Sequence, residues 1–375
     1  MSEGVVASGA DGDTPVAALK EIFNAQRIRH IAEETAAVCA PFDAERFVAL
    51  SLKGLDELSI MQRLRRIAEN LHATLPPGYV ESLDVLHALA PRLNSRFVTM
   101  VLPEFVALYG AEHFDASMQA LKAFTAFGSS EFAIRHFLRR DLTRTLEVMT
   151  RWADDDNEHV RRLASEGSRP RLPWSFRLDA LVEDPSPTAA LLDKLKADPS
   201  LYVRKSVANH LNDITKDHPE WLLARIEAWS LDDPRTAWIA KHALRSLIKQ
   251  GDKRALSVVG AGGKPEVVLS GFAIDPPAIR LGDAITLSFK LASMAKQSQR
   301  LVIDYAVHYV KKSGETSAKV FKLKTLTLDA GASVALSRQQ SIRNFSTRVH
   351  YAGKHEVDLL VNGEIMASAV FDLKL

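Results

Sequence analysis

A single cysteine, Cys39, stands in a chain of 375 residues. No internal disulfide can form, so an apolar core must hold the fold, and metal sites built on CxxC pairs are excluded. Long hydrophobic runs are missing as well: no stretch reaches the roughly 18–20 consecutive apolar residues that a membrane span needs. The opening MSEGVVASGADGDTPVAALK has no basic region followed by an apolar core, so it does not read as a secretory signal. Residues 1–16, rich in Gly, Ser, Ala and Asp, read instead as a disordered leader. Charge of one sign is scarce: 48 Lys and Arg against 46 Asp and Glu leave +2. Near-neutrality does not exclude nucleic acid, because a phosphate backbone needs a basic face and not a basic total. No Walker loop, dinucleotide fingerprint, HExxH or GxSxG is present, which removes the enzyme classes with portable motifs. What remains is the composition of an ordinary soluble protein, 46% hydrophobic and 25% charged. The expected setting is the cytoplasm, with no membrane partner, cofactor or metal.

The first two-thirds reads as helix after helix. Residues 17–38 are Ala- and Ile-rich with polar interruptions at helical spacing, and 56–74 place Leu58, Met61, Leu64, Ile67, Ala68 and Leu71 at three- and four-residue steps. Pro76-Pro77-Gly78 ends that segment. Further helices are expected over 79–91, 103–109 and 115–126. From about residue 130 a unit repeats. Ile134-Arg135, Val160-Arg161-Arg162, Val203-Arg204-Lys205 and Ile239-Ala240-Lys241 mark its recurrences, with partner helices expected over 142–153, 187–197 and 219–230. Asp154-Asp155-Asp156, Asp198-Pro199 and Asp233-Pro234 precede the last three units, where an Asp would cap the next helix. The irregular spacing, roughly 26 to 43 residues, falls in the range of helical repeats and predicts an all-α HEAT-like solenoid.

After Gly251 the period changes to two. Gly260-Ala261-Gly262-Gly263 has the composition of a flexible linker. Beyond it Ile285, Leu287, Phe289 and Leu291 alternate with Thr286, Ser288 and Lys290. About seven such strands, with turns at Ser313-Gly314 and Asn362-Gly363, predict an all-β immunoglobulin-like sandwich. The expected organisation is a leader over 1–16, a helical-repeat domain over 17–258, a linker over 259–265 and a sandwich over 266–375.

Polar residues concentrate between 129 and 213, and all five tryptophans fall between 152 and 238. Arg161, Arg162, Glu166 and Arg169 lie three to five residues apart on one helical edge and its exit. RPRLPW (169–174) cannot be helical at its prolines, so it is expected as a rigid insertion carrying two arginines and an exposed Trp174. Equivalent ends of stacked repeat helices line one surface, so Glu131, Glu166 and Asp213 can converge despite their separation. Asp and Glu in stacked helices are usually solvated, so any one of these carboxylates, taken alone, reads more readily as part of a solvated face. His159, His210 and His242 read as surface or capping histidines.

At these residues the sequence becomes recognisable. SSEFAIRHFL, DDNEHVRRLASEGSRPRLPW, VRKSVANHLNDITKDHPEW and KHALRSLIKQGD resemble the AlkC branch of the HEAT-like DNA alkylation-repair glycosylases, through most of 20–260. The resemblance implies a monofunctional N-glycosylase acting on cationic alkylated bases, notably 3-methyladenine and 3-methylcytosine, in duplex DNA. It implies no cofactor, and an immunoglobulin-like domain at the C-terminus of many members. Residue by residue it assigns the catalytic carboxylates to Glu131, Glu166 and Asp213, with Glu166 foremost, and a contact with the lesion or its deoxyribose to Trp174. Arg162, Arg169 and Arg204, with Arg161 and Lys205, are expected to hold phosphates without reading sequence. In the sandwich, Arg343, Phe345 and Arg348 of RNFSTR, basic residues flanking an aromatic, read equally as a second DNA contact or as an ordinary polar loop, and the protein is expected to be a monomer. Two other classes fit the repeats alone. A non-catalytic HEAT-repeat protein that binds damaged DNA would tolerate neutral replacements at all three carboxylates. A scaffold for protein partners would favour an apolar or acidic concave face.

Overall fold

The computed structural model describes residues 20–344 and 349–375. The leader expected over 1–16, and Phe345 and Arg348, lie outside the described residues. Helices run from Ala25 to Val258 and strands from Val267 to Lys374, as the change of period predicts. The chain forms two compact units, Met1–His210 and Leu211–Leu375, so the last helices group with the strands. No helix among the described residues is long and apolar enough to cross a membrane.

In the first unit the segment expected over 56–74 becomes the helix Ile60–Thr74. Its start is set by a reciprocal cap: Ser59 N–H donates to Gln62 Oε1 (2.9 Å), and Gln62 N–H donates to Ser59 Oγ (3.4 Å). Leu64, Ile67, Ala68 and Leu71 are buried, a large apolar side chain contributing about 1.5–3 kcal/mol. Leu58 lies before the cap, and it and Met61 are only half-buried. Helices Tyr79–Leu89, Val101–Tyr109 and Phe114–Phe124 follow near their expected places. Then come Ile134–Arg140, Leu142–Trp152, Glu158–Gly167, Asp179–Glu183, Ala189–Leu195 and Leu201–Ile214. The helix Glu158–Gly167 is capped by Asn157, whose Oδ1 accepts from His159 N–H (2.9 Å), and not by the acidic triplet before it. Asp155 stands two residues too early for the cap and instead accepts from Asn157 N–H (2.9 Å). Gly167 is required by packing, since a Cβ there would lie 2.4 Å from Ile134 Cγ2.

In the second unit Pro219–Glu227, Pro234–Ala243, Arg245–Gln250 and Lys253–Val258 precede eight strands. These are β1 (Val267–Asp275), β2 (Ala278–Arg280), β3 (Ala284–Ser293), β4 (Gln299–Val310), β5 (Thr316–Leu328), β6 (Ser333–Ser341), β7 (Gly353–Val361) and β8 (Glu364–Lys374). One sheet has the order β1-β3-β6 and the other β2-β8-β7-β4-β5. Alternate residues of β3 (Ile285, Leu287, Phe289, Leu291) pack in the core with Tyr305, Val307, Val357 and Leu359. The Asn362-Gly363 turn, with φ of 48 and 77°, joins β7 to β8. It also docks on the last helices: a Cβ at Gly363 would lie 2.6 Å from Gly251 Cα, and Lys253 pairs with Glu364 at 2.5 Å. The glycine-rich 259–265 segment is therefore not a loose linker. Ala261 is buried with Leu256 and Val302, and its N–H donates to Leu256 O (2.8 Å). One apolar residue with a core to enter outweighs the freedom of its glycine neighbours.

Candidate active site

Within the helix Glu158–Gly167, a rise of four residues returns a side chain to nearly the same face. Arg162 and Glu166 are therefore neighbours, with Arg169 following at the helix exit. Arg169 Nη1 lies 2.6 Å from Glu166 Oε1, and both side chains are buried. Arg162 Nη2 approaches the same oxygen at 3.8 Å. Its Nη1 donates to Glu131 Oε2 (2.6 Å), brought in from just before the helix Ile134–Arg140. Ser129 Oγ also donates to Glu131 (2.8 Å). Arg162 lies over the ring of Tyr202, 4.8 Å from its centroid.

Two carboxylates and two guanidiniums thus alternate with little water. Burial alone would favour the neutral acid of Glu166, but Arg162 and Arg169 outweigh it and hold the carboxyl below its ordinary range. Burial likewise works against the charge of Arg162, and Glu131 and Glu166 reverse it. Glu166 is consequently an anion at neutral pH. It is suited to stabilising positive charge and unsuited to donating a proton.

Beside this cluster the insertion projects an aromatic. Trp174 is 67% exposed and has φ of 65°, in the left-handed region. For a bulky residue that conformation costs on the order of 1–3 kcal/mol and persists only where its surroundings impose it. Leu172 and Leu178 are buried on either side, and Leu178 N–H donates to Pro170 O (3.1 Å), closing the base of the loop.

The structure thus gathers Glu131, Glu166, Arg162 and Arg169, with the last two arginines spent on the carboxylates. Arg161, one residue from Arg162, points elsewhere. Its Nε and Nη2 grip Asp198 (2.7 and 3.2 Å), and its Nη1 donates to the carbonyls of Asp155 and Asp156 (both 2.9 Å). Arg204 repeats that device one unit later, Nη1 donating to the carbonyls of Asp198 and Pro199 (both 2.8 Å). These two arginines brace the turns between repeats. Lys205 and Arg343 are exposed. Asp213 lies in the other unit, buried in the last turn of Leu201–Ile214.

Several residues escape the sequence reading. His210 is no surface histidine: it is fully buried, Nδ1 facing Ser165 O at 3.0 Å, and burial pushes its pKa down to about 3. Its neutral ring donates to a carbonyl on the helix that carries Glu166. Burial and Arg96 lower the pKa of His159 too. Its Nδ1 is 3.2 Å from Arg96 Nη2 and must accept, since guanidinium has no acceptor. Tyr202 packs edge-on to His159 at 5.6 Å between ring centroids. Arg135 is wholly buried, although its sequence position marks only a repeat. Charged residues between apolar neighbours, as in FAIRHFL, are the one signal that could have found it. Among the described residues no group of three or more His, Cys, Asp and Glu could hold a metal ion.

A family model described as "DNA alkylation repair enzyme" matches residues 115–247. A second, "Uncharacterised protein YhaZ, C-terminal Ig-like domain", matches 268–375. The chain is 40% identical over 359 residues to an uncharacterized protein YhaZ of Bacillus subtilis (strain 168), covering 96% of this chain and 100% of that one. It is 60% identical to the Pseudomonas fluorescens alkylpurine DNA glycosylase AlkC in a solved complex with DNA containing an abasic site analog. That match covers 95% of this chain and 99% of the other, with a TM-score of 0.92. With both regions matched and near-complete coverage of these relatives, the chain belongs to the AlkC family of DNA alkylation repair glycosylases.

Proposed function

We propose that this DNA glycosylase of alkylation repair excises cationic alkylated bases, 3-methyladenine and 3-methylcytosine, from duplex DNA by hydrolysing the N-glycosidic bond. N-alkylation leaves a positive charge on the base, which then departs without a general acid. As the bond breaks, charge passes to the deoxyribose and the transition state becomes oxocarbenium-like. The observation that carries this reading is Glu166, kept ionised in a nearly dry site by Arg162 and Arg169. A fixed anion there stabilises the developing cation more strongly than water could. Glu131 adds a second carboxylate, and one of Glu131, Glu166 and Asp213 positions or deprotonates the attacking water.

Trp174, held outward, packs on the lesion nucleotide or its sugar. The lesion is approached from the sugar and backbone side without the extrusion usual among glycosylases. Lys205 and Arg343, both exposed, together with Arg348, contact phosphates. Arg162 and Arg169 serve the carboxylates instead, and Arg161 and Arg204 the turns between repeats. The protein acts as a monomer in the cytoplasm.

Purified protein incubated with duplex DNA holding one 3-methylcytosine should release the base. Glu166→Gln should cut single-turnover release by ~100-fold or more with DNA binding retained. Tight binding with no release from either 3-methylcytosine or 3-methyladenine DNA would leave a damage-binding protein and no enzyme.

A further inference from the structure

Arg135, on the helix Ile134–Arg140, is fully buried. A buried guanidinium is tolerated only where its N–H groups find acceptors, and the acceptors here are specific. Nη1 donates to Gly167 O (3.0 Å) and Arg169 O (2.6 Å), and Nη2 donates to Phe176 O (2.5 Å). Gly167 is the last residue of the helix that carries Glu166, whose terminal carbonyls have no partner within the helix. Arg169 and Phe176 stand on either side of Trp174. One side chain therefore ties the end of the Glu166 helix to both arms of the Trp174 loop.

The grip on the far arm is reinforced through the ring of Phe176. Arg139 lies over it at 4.2 Å and Arg135 at 5.5 Å from its centroid. His136 meets it edge-on at 5.2 Å between centroids. Leu172 and Leu178 anchor the loop by burial, but burial is non-directional. The directional hydrogen bonds of Arg135 can hold the backbone in the conformation that turns Trp174 outward at positive φ.

We infer that Arg135 is a positioning residue that sets Trp174 relative to Glu166 through the carbonyls of Gly167, Arg169 and Phe176. This rests on the reading that Glu166 and Trp174 act on the lesion nucleotide. Lysine keeps the charge but cannot span three carbonyls from one planar fork. Arg135→Lys should therefore misplace the loop without leaving it uncharged.

The test is a double-mutant cycle in single-turnover excision from 3-methylcytosine duplex, with DNA affinity measured in parallel. Arg135→Lys should slow excision ~10- to 100-fold and change DNA affinity less than ~3-fold. Arg135→Lys combined with Trp174→Ala should be no slower than Trp174→Ala alone, because both changes remove the same placement. If Arg135→Lys fails to fold, Phe176→Leu loosens the same arm without replacing a buried charge and should show the same non-additivity. A folded Arg135→Lys or Phe176→Leu at wild-type rate, or effects that multiply with Trp174→Ala, would overturn the inference. Loss of rate on Trp174→Ala with none on Arg135→Lys defeats the role of Arg135 alone. A Trp174→Ala variant at full rate defeats the reading of Trp174 and the inference with it.

Discussion

Two carboxylates, Glu166 and Asp304, one in each compact unit, are equally buried at 6% exposure and answer in opposite directions. Around Glu166 the charges alternate, and ion pairing overrides burial: the carboxyl is held below its ordinary range and Arg162 above its own. In the second unit Asp304 on β4 pairs in register with Lys322 on β5, beside a crowd of like charges. Burial lowers the pKa of Lys322, and Lys241, Arg300 and Lys249 lower it further against Asp304. Burial raises Asp304 to about 6 despite Lys322 and Lys249. The number of nearby opposite charges does not decide the outcome. Contact does: Glu166 and Glu131 each have a guanidinium at 2.6 Å, while among the described residues Asp304 forms no ion pair within 4.0 Å.

The contrast can be broken most forcefully at Arg162. Arg162→Met removes the cation shared by Glu131 and Glu166 and leaves one buried and one half-buried carboxylate under-compensated. We expect a loss of about 3–5 kcal/mol at neutral pH by denaturant titration. Excision should fall as well, with an acid limb moved to higher pH because Glu166 now protonates more easily. The sign separates variant from wild type. A depressed acid stabilises the fold above its unfolded pKa, and that contribution is lost as pH falls through the folded value. The variant should instead gain relative stability on mild acidification. An Arg162→Met protein of unchanged stability and pH profile would mean that Glu166 does not depend on this pairing.

Asp304→Asn should act with the opposite sign. An acid whose folded pKa is raised holds its proton more tightly when folded, so stability falls as pH rises from the ordinary 3.8 towards about 6. Above that range the ionised, buried Asp304 costs on the order of 1–3 kcal/mol. The Asn variant should therefore melt higher than wild type at pH 7.5, and the difference should vanish near pH 4. Equal melting curves at both pH values would show that Asp304 is adequately solvated or paired.

Lys205 tests the exposed charge that neither cluster contains. Lys205→Ala should weaken DNA binding uniformly across sequences and reduce the slope of log affinity against log salt by about 1. Single-turnover excision at saturating protein should stay unchanged. An unaltered salt slope would remove Lys205 from the phosphate contacts.

Much of the fold is legible along the chain because period and punctuation are local. The alternation in β3, the Pro-Pro-Gly stop after Thr74 and the non-helical RPRLPW all arise from backbone preferences within a few residues. The site is legible in part. Arg162, Glu166 and Arg169 share a helical stripe, and helix geometry joins them without tertiary information. Glu131 enters through an ion pair 31 residues distant, which the repeat suggested but could not specify.

The roles of adjacent arginines show where local reading stops. Arg161 and Arg162 follow one another in sequence, yet about 100° of helix rotation sends one to brace a turn and the other to the carboxylates. The chain by itself determined the two kinds of secondary structure, the repeat, the rigid insertion and the residues available for chemistry, because each follows from preferences of neighbouring residues. Packing decided which guanidinium meets which carboxylate, that Arg135 and His210 are buried, and that Ala261 belongs to a core. A charged or polar side chain is defined by its partners, and these partners come from segments tens of residues away that meet only when the helices stack.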